Sequence, residues 1–495
     1  GDNIIECERT LHLIEESLSA KASLYKGSTL YKPIYELLYK NDVLFIELLS
    51  GHDRWGINIG DILERYGGPL REGADSYLTK IEDGEEQIIL VIEYCSALPA
   101  GNNAWQRSGR AYSSIMAGIP YLYYAEIGGL ELGQGREAKA PRYPNPIVPF
   151  SYVTASKRMG GQCIPVYRPH PSILPSVYKI YQNTFGINES KSVIRNLITE
   201  QNYQKEAEAL RIKSLNLVKI LAFKRKTHDC LLPEDWITFY ETKEPIEWLS
   251  DSSHFLKWTK KFQPKVKVTD KFNSFKNKVI SLGLGSIGTS NIPISFVPKN
   301  KTNAFLNILK ESYEIELPVS IEDDLIIVWV YGYKPSGEDS RPDRGLTSLT
   351  RMIVGNNPKV LSIVYGPARE STYKTLNKEG GIDTNGLWLS IKELSDFAIF
   401  DSVTYPAPLF FKFNNKRDVN HRPVIFDFKE AHLSEFGEHD IDSTIHQIFS
   451  QNTLPYIKEC FCNPPGGDWS GISYFEGNTE YRWTSLPRVS IIGGK

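Results

Sequence analysis

The segment "GADSYLTKIEDGEEQIILVIEYCSA" runs from Gly73 to Ala97. Two runs in it, 75–81 and 87–94, alternate apolar and polar residues, and the polar turn "EDGEE" with Gly84 separates them. A period of two, broken by a short turn containing glycine, predicts an antiparallel strand pair. Asp75 then begins one strand and Glu93 ends its partner, which brings two carboxylates close in space.

Upstream, "STLYKPIYELLYKND" sets Leu30, Ile34, Leu37 and Leu38 at helical spacing and predicts an amphipathic helix. "VLFIELL" follows as the end of that helix or a short strand. Downstream of the hairpin, "ALPAGNN" is a polar loop, "AWQRSGRAYSSIMAG" predicts a helix closed by Gly118, and "IPYLYYAEI" predicts a buried strand. Residues 139–171 are rich in proline and read as an ordered linker or wrapping segment. Residues 190–260 are charged and mostly helical, clearest in "ITEQNYQKEAEALRIKSLNLVKILAFKRK".

From about 279 strands and turns dominate. "DDLIIVWVYGY" and "KVLSIVYG" read as buried strands around a loop and helix in "SRPDRGLTSLTRMIVGNN". This block echoes "EYCSALPAGNNAWQRSGRAYSSIMAGIPYLYY" in its polar loop, its Arg-Gly pair and its helix with Met shortly before Gly. Such an echo is what an internal duplication would leave.

The 495 residues suffice for several domains and more than one core. A 41% hydrophobic and 23% charged composition is that of a soluble globular chain. With a net charge of −2, attraction to nucleic acid must be local rather than global. Cysteines at 7, 95, 163, 230, 460 and 462 are scattered, as reduced thiols in a cytoplasmic protein are. No apolar run approaches a membrane span, and no basic-apolar leader is present. Gly1 in place of Met suggests a processed or engineered start.

An aspartate on one strand and a glutamate on the next, followed by a helix and a strand, is the core arrangement of the PD-(D/E)XK nuclease superfamily. Residues 28–127 resemble that core, with Asp75 from "GAD" and Glu93 from "IEYC", and the chain resembles type II restriction endonucleases. The resemblance implies that Asp75 and Glu93 bind Mg²⁺, a hard cation suited to carboxylate oxygens, and serve phosphodiester cleavage. The family's lysine position holds Cys95, and a thiol cannot replace an ammonium. Gln106 and Lys80 are the candidates to orient the attacking water. Arg107 and Arg110 are expected to contact phosphate. Base readout is expected from loops such as "GNNAWQR" and "GEDSRPDRG", with Arg341 and Arg344 among the DNA-binding residues.

Further constellations compete. "RPVIFDFKEAH" supplies Asp427 and an intact Lys429, for which Asp401 is a possible partner; a chance D-x-K on a strand end is the plainer reading. Residues 255–278 hold eight lysines against one aspartate, interleaved with Phe255, Trp258, Phe262, Phe272 and Phe275. Lysines such as Lys260 and Lys261 neutralise phosphates and aromatics stack on bases, while a solvated face over core aromatics gives the same pattern. "VISLGLGSIGTSNIPISF" is a formal GxGxxG, but the residues after it favour strand, so a glycine-rich turn is expected rather than a cofactor site.

The expectation is an α/β and α+β multidomain protein. Residues 1–170 form a PD-(D/E)XK-like domain, 171–278 a helical basic region, and 279–495 an α/β domain for DNA recognition or a second nuclease-like core. The partner is double-stranded DNA, with a homodimer or higher oligomer serving two strands. The rival readings are a non-catalytic DNA-binding subunit and a protein-binding scaffold. The chain ends on Gly-Gly-Lys without a closing element, so a catalytic segment beyond Lys495 would make it mainly the recognition part.

Overall fold

The structure is a computed structural model that describes residues 1–26, 28, 33–50, 53–54, 57–70, 72–95, 107–132, 138–141, 144–224, 232–251, 262, 264, 266–288, 293–331, 341–367, 386–404, 408–413, 446–447, 473–484 and 488–491.

Helix α1 (Ile4–Leu18) is capped by Asn3, whose side chain accepts from the Glu6 N–H at 3.1 Å. Strands β1 (Ala22–Leu24), β2 (Ile34–Tyr39) and β3 (Asp42–Glu47) form an antiparallel sheet. Within the stretch expected as an amphipathic helix, residues 34–39 are instead a strand. The chain reverses at Lys40, whose φ of 54° is left-handed, so Leu38 pairs with Val43. Alternation puts Leu37 against Ile14 and Leu18 of α1, while Leu38 is 63% exposed. A short pair, β4 (Asp53–Arg54) and β5 (Ile57–Asn58), and helix α2 (Ile59–Arg65) lead to the main N-terminal sheet.

That sheet contains β6 (Ser76–Glu82), β7 (Glu85–Cys95), β8 (Tyr121–Ile127) and β11 (Cys163–Pro169), in the order β11-β8-β7-β6. The β6–β7 hairpin is the one the alternation predicts; Asp83 and Gly84 turn it with φ of 52° and 80°. Strand β8 runs parallel to β7 after helix α3 (Ser108–Met116), which Gly118 closes with a φ of 73°. A small pair, β9 (Leu130–Leu132) and β10 (Ala138–Pro141), precedes helix α4 (Ile147–Met159), and β11 then pairs parallel with β8. The Pro-rich stretch 139–171 is thus part of the fold itself, carrying a core helix and the last strand. Pro165 lacks an N–H, which is tolerated because β11 is an edge strand.

Helices α5 (Pro175–Tyr181), α6 (Ile187–Ile198), α7 (Gln204–Lys224), α8 (Pro233–Glu241) and α9 (Pro245–Asp251) follow. A second sheet has the order β12-β13-β14-β15-β16-β17. Its strands are β12 (Gly285–Gly288), β13 (Pro293–Val297), β14 (Leu325–Tyr331), β15 (Lys359–Tyr365), β16 (Phe397–Asp401) and β17 (Leu409–Lys412). The glycines of the formal GxGxxG lie in and before β12, which pairs antiparallel with β13, so no helix opens there. Helices α10 (Asp270–Ser281), α11 (Lys299–Tyr313), α12 (Arg341–Val354) and α13 (Gly386–Leu394) accompany this sheet, and β18 (His446–Gln447), β19 (Ser473–Thr484) and β20 (Arg488–Ile491) form a separate one.

The two large sheets share a helical layer. Residues Val91, Cys95, Tyr121 and Tyr123 of the first sheet join Ala111, Ile115, Phe150 and Tyr152 of α3 and α4 in one apolar cluster. The same cluster takes in Leu349 and Met352 of α12 and Ile326, Val328 and Val360 of the second sheet. The outer face of the first sheet packs on Val193 and Ile194 of α6 and Leu210 of α7. The outer face of the second packs on Phe272 and Phe275 of α10 and Phe305 of α11. The described helices of 171–278 therefore pack against both sheets. Phe262, Phe272 and Phe275 are core residues, at most 1% exposed, and are not available to stack on bases.

Candidate active site

Register creates the site. Ser76 pairs with Ile92, so Asp75, one residue before β6, falls beside Glu93 of β7. The Tyr77 hydroxyl accepts the Ala74 N–H at 2.7 Å and holds the turn entering β6. Asp75 Oδ2 accepts the Tyr94 N–H at 2.8 Å, which ties the two strands together at this point. Glu93 faces α3 and is fully buried.

Helix α3 answers with two guanidiniums. Arg110 Nη1 donates to both oxygens of Glu93, at 2.6 and 2.8 Å, and lies 3.4 Å from Asp75 Oδ1. Arg107 Nε lies 2.8 Å from Glu93 Oε1. Gly109 stands between these arginines, where a Cβ would come within 2.4 Å of a Glu72 carboxylate oxygen. The absent side chain lets that carboxylate approach the helix N-terminus, where backbone N–H groups favour negative charge.

Burial pushes the Glu93 carboxyl up to about 7; Arg110 opposes this, and the charge of Asp75 adds to it. Charge pairing with Glu93 holds the Arg110 guanidinium more firmly protonated than usual, against the effect of burial. Burial also raises the Cys95 thiol, so the group at the lysine position is neutral. Glu6 of α1, which the sequence reading missed, joins the periphery. Burial raises its pKa, Arg9 lowers it and Asp75 raises it. The region thus sets Glu6, Glu72, Asp75 and Glu93 against Arg9, Arg107 and Arg110. No residue spacing announces Glu6; only the packing of α1 beside β6 brings it here. Near Glu93, the hydroxyls of Tyr121 and Tyr152 are buried without a protein partner among the described residues. Tyr152 stacks on Tyr123 with ring centroids 4.3 Å apart.

The donor chemistry suits a hard divalent cation. Two carboxylates converge and repel each other, and Mg²⁺ is commonly held by one or two carboxylates plus water. Arg110 Nη1 takes the point of convergence in this structure. Among the described residues no group of three or more His, Cys, Asp and Glu side chains gathers for a metal.

The other predicted residues disperse. Lys80 lies farther along β6, roughly 16 Å from Asp75 at strand spacing. It is paired with Glu200 at 2.9 Å and Glu82 at 3.2 Å, away from the acid pair. Arg107 and Arg110 are committed to Glu93 rather than held free for phosphate. Asp401 ends β16 on the face of the second sheet that packs against α10 and α11. It accepts from Thr269 Oγ1 at 2.8 and 3.0 Å and from the Tyr313 hydroxyl at 2.7 Å. Among the described residues its partners are thus the cap of α10 and the Tyr313 hydroxyl of α11. Gln106, Lys260, Lys261, Asp427 and Lys429 lie outside the described residues, as do the side chains of Arg341 and Arg344.

Among the described residues, no helix is long and apolar enough to cross a membrane. No protein-family model, curated protein or solved structure matches the chain.

Proposed function

We propose that this protein binds duplex DNA and cleaves phosphodiester bonds with Mg²⁺ at Asp75 and Glu93, in the manner of a type II restriction endonuclease. The observation that carries the reading is the convergence of these two carboxylates on one point, marked by a single guanidinium nitrogen. The order β11-β8-β7-β6, with an antiparallel hairpin followed by parallel strands, is consistent with it.

Asp75 and Glu93 would hold the metal. When bound, it polarises the phosphate and lowers the pKa of an attacking water. The chain's own residues prepare that state. Tyr94 fixes Asp75 through its backbone N–H, leaving Oδ1 to face the shared point. Arg107 favours ionised Glu93 against the cost of burial. Arg110 must leave the shared point, and its freed guanidinium can then meet a phosphate oxygen.

Incubation of the purified chain with plasmid and bacteriophage DNA, in Mg²⁺ or in EDTA, tests the proposal. Discrete fragments only with Mg²⁺ support it; intact DNA in both removes it.

A non-catalytic DNA-binding subunit is the second reading, favoured by neutral Cys95 at the lysine position and by Arg110 between the carboxylates. It predicts retardation of intact DNA in a gel, with log K falling by about 0.9 per phosphate contact against log salt.

A further inference from the structure

Strands β8 and β11 end in a charged pair. Arg168 of β11 lies directly across from Glu126 of β8, and just beyond it the His170 N–H donates to the Ile127 carbonyl at 2.9 Å. Glu126 is only 5% exposed, and three basic side chains close on it. Arg168 Nη2 donates to its Oε1, Arg9 Nη2 of α1 lies 3.9 Å from the same oxygen, and His170 Nε2 lies 3.8 Å from Oε2. The Ser172 N–H donates to His170 Nδ1 at 3.1 Å, so the neutral imidazole carries its proton on Nε2, toward Glu126.

Two tyrosine rings support the guanidiniums. Arg9 sits over the Tyr94 ring at 4.0 Å and Arg168 over the Tyr124 ring at 5.1 Å, and the two rings meet edge to face with centroids 6.0 Å apart. Ring stacking and a shared carboxylate oxygen hold the two guanidiniums side by side before any ligand arrives, which lowers the entropy cost of closing on one. Most of their donors are unused. A guanidinium offers five N–H groups. Among the described residues, Arg9 has only ion-pair contacts, to Glu126 and to Glu6 at 3.6 Å, and Arg168 donates to Glu126 alone. The side chains of Arg9 and Arg168 are 25% and 32% exposed, so the paired guanidiniums reach solvent while the acid between them is covered.

We propose that Arg9 and Arg168 form a phosphate-binding site separate from the acid pair. Planar forks on neighbouring guanidiniums match the oxygens of one phosphate group. The site lies three strand spacings across the sheet from Asp75, roughly 14 Å, at the edge where β7 ends beyond Glu93. Where the phosphate is part of DNA, the assignment rests on the nuclease reading above. The pair then grips a phosphodiester a few nucleotides from the scissile one, at about 3.4 Å of axis per nucleotide. A nucleotide or free phosphate presents the same oxygens, and the anion site itself needs neither Asp75 nor Glu93.

Two variants with effects of opposite sign provide the test. Arg168→Gln removes one guanidinium; Glu126→Gln removes the acid that competes with phosphate and keeps the side chain's shape. Binding of a short fluorescent DNA duplex in EDTA, and of ADP and inorganic phosphate by calorimetry, is measured on full-length proteins whose circular dichroism matches wild type. Arg168→Gln should weaken binding about tenfold and lower the duplex salt slope by about 1. Arg168→Lys should recover the slope and part of the affinity. Glu126→Gln should tighten binding, which loss of a merely structural contact would not do, and it carries the test alone if Arg168→Gln does not fold. Duplex binding that depends on Arg168 assigns the site to the DNA backbone. ADP or phosphate bound through Arg168, with duplex unbound, keeps the anion site, assigns it to a free phosphate and removes the nuclease reading. Wild-type duplex affinity in folded Arg168→Gln and Glu126→Gln overturns the proposal and leaves the nuclease reading standing. Wild type that binds none of the three probes overturns both.

Discussion

Arg110 places one nitrogen within 2.8 Å of both oxygens of Glu93 and within 3.4 Å of Asp75, so one cation already bridges the two acids. The buried charge of Glu93 is tolerable only because α3 brings this guanidinium and Arg107 to it.

Arg110→Ala should therefore destabilise the fold. Removing one partner of a buried ion pair typically costs about 3–5 kcal/mol, and Arg107 should hold the loss near the lower end. Urea denaturation measures it. Arg110→Lys, which keeps the charge but not the fork, should recover part of the stability; an Ala variant as stable as wild type would contradict the pairing.

Glu93 also predicts a pH dependence. Its folded pKa is raised from the ordinary 4.5 to about 7 by burial, against Arg110 and with Asp75. Between those values the folded chain keeps a proton that the unfolded chain has lost. The stability from this group is thus full below about 4.5 and is lost as pH rises through about 7. Denaturation midpoints should fall over that window for wild type relative to Glu93→Gln, whose amide does not titrate. Mg²⁺ affinity, which needs the ionised carboxylate, should rise over the same window. Parallel stability profiles for the two proteins would contradict the assignment.

Asp401 should matter for stability and not for cleavage. Asp401→Ala leaves the Thr269 and Tyr313 hydroxyls without their acceptor, at a cost of about 3 kcal/mol for hydrogen bonds to a charged group. Asp401→Asn keeps an acceptor and should be milder. Loss of cleavage in a folded Asp401→Asn protein would move the chemistry to the second sheet.

Much of this arrangement is legible in the chain itself. The hairpin is written in the alternation around Asp83 and Gly84, and α3 and β8 in "RSGRAYSSIMAG" and "YLYYAEI". The misreading at 30–38 has a physical cause. Ile34 and Leu38 sit at helical spacing, yet in β2 both lie on the face away from Leu37, so the spacing reports an exposed strand face. Strand β11 was hidden by Pro165 and Pro169, which only an edge position admits. The roles of Arg107, Arg110 and Glu6 depend on which face of α3 and α1 meets the sheet, a tertiary fact that no local pattern carries.

Asp75→Asn is the most economical probe of the whole account. The amide oxygen can still accept the Tyr94 N–H, so the fold should survive with a loss of about 1 kcal/mol or less. The decisive measurement is the initial rate of plasmid cleavage in Mg²⁺ by wild type and by folded Asp75→Asn protein. The acid-pair assignment predicts cleavage by wild type that stops in EDTA and falls at least about a hundredfold, about 2.7 kcal/mol in barrier, in the variant. Equal rates for the two proteins would contradict it.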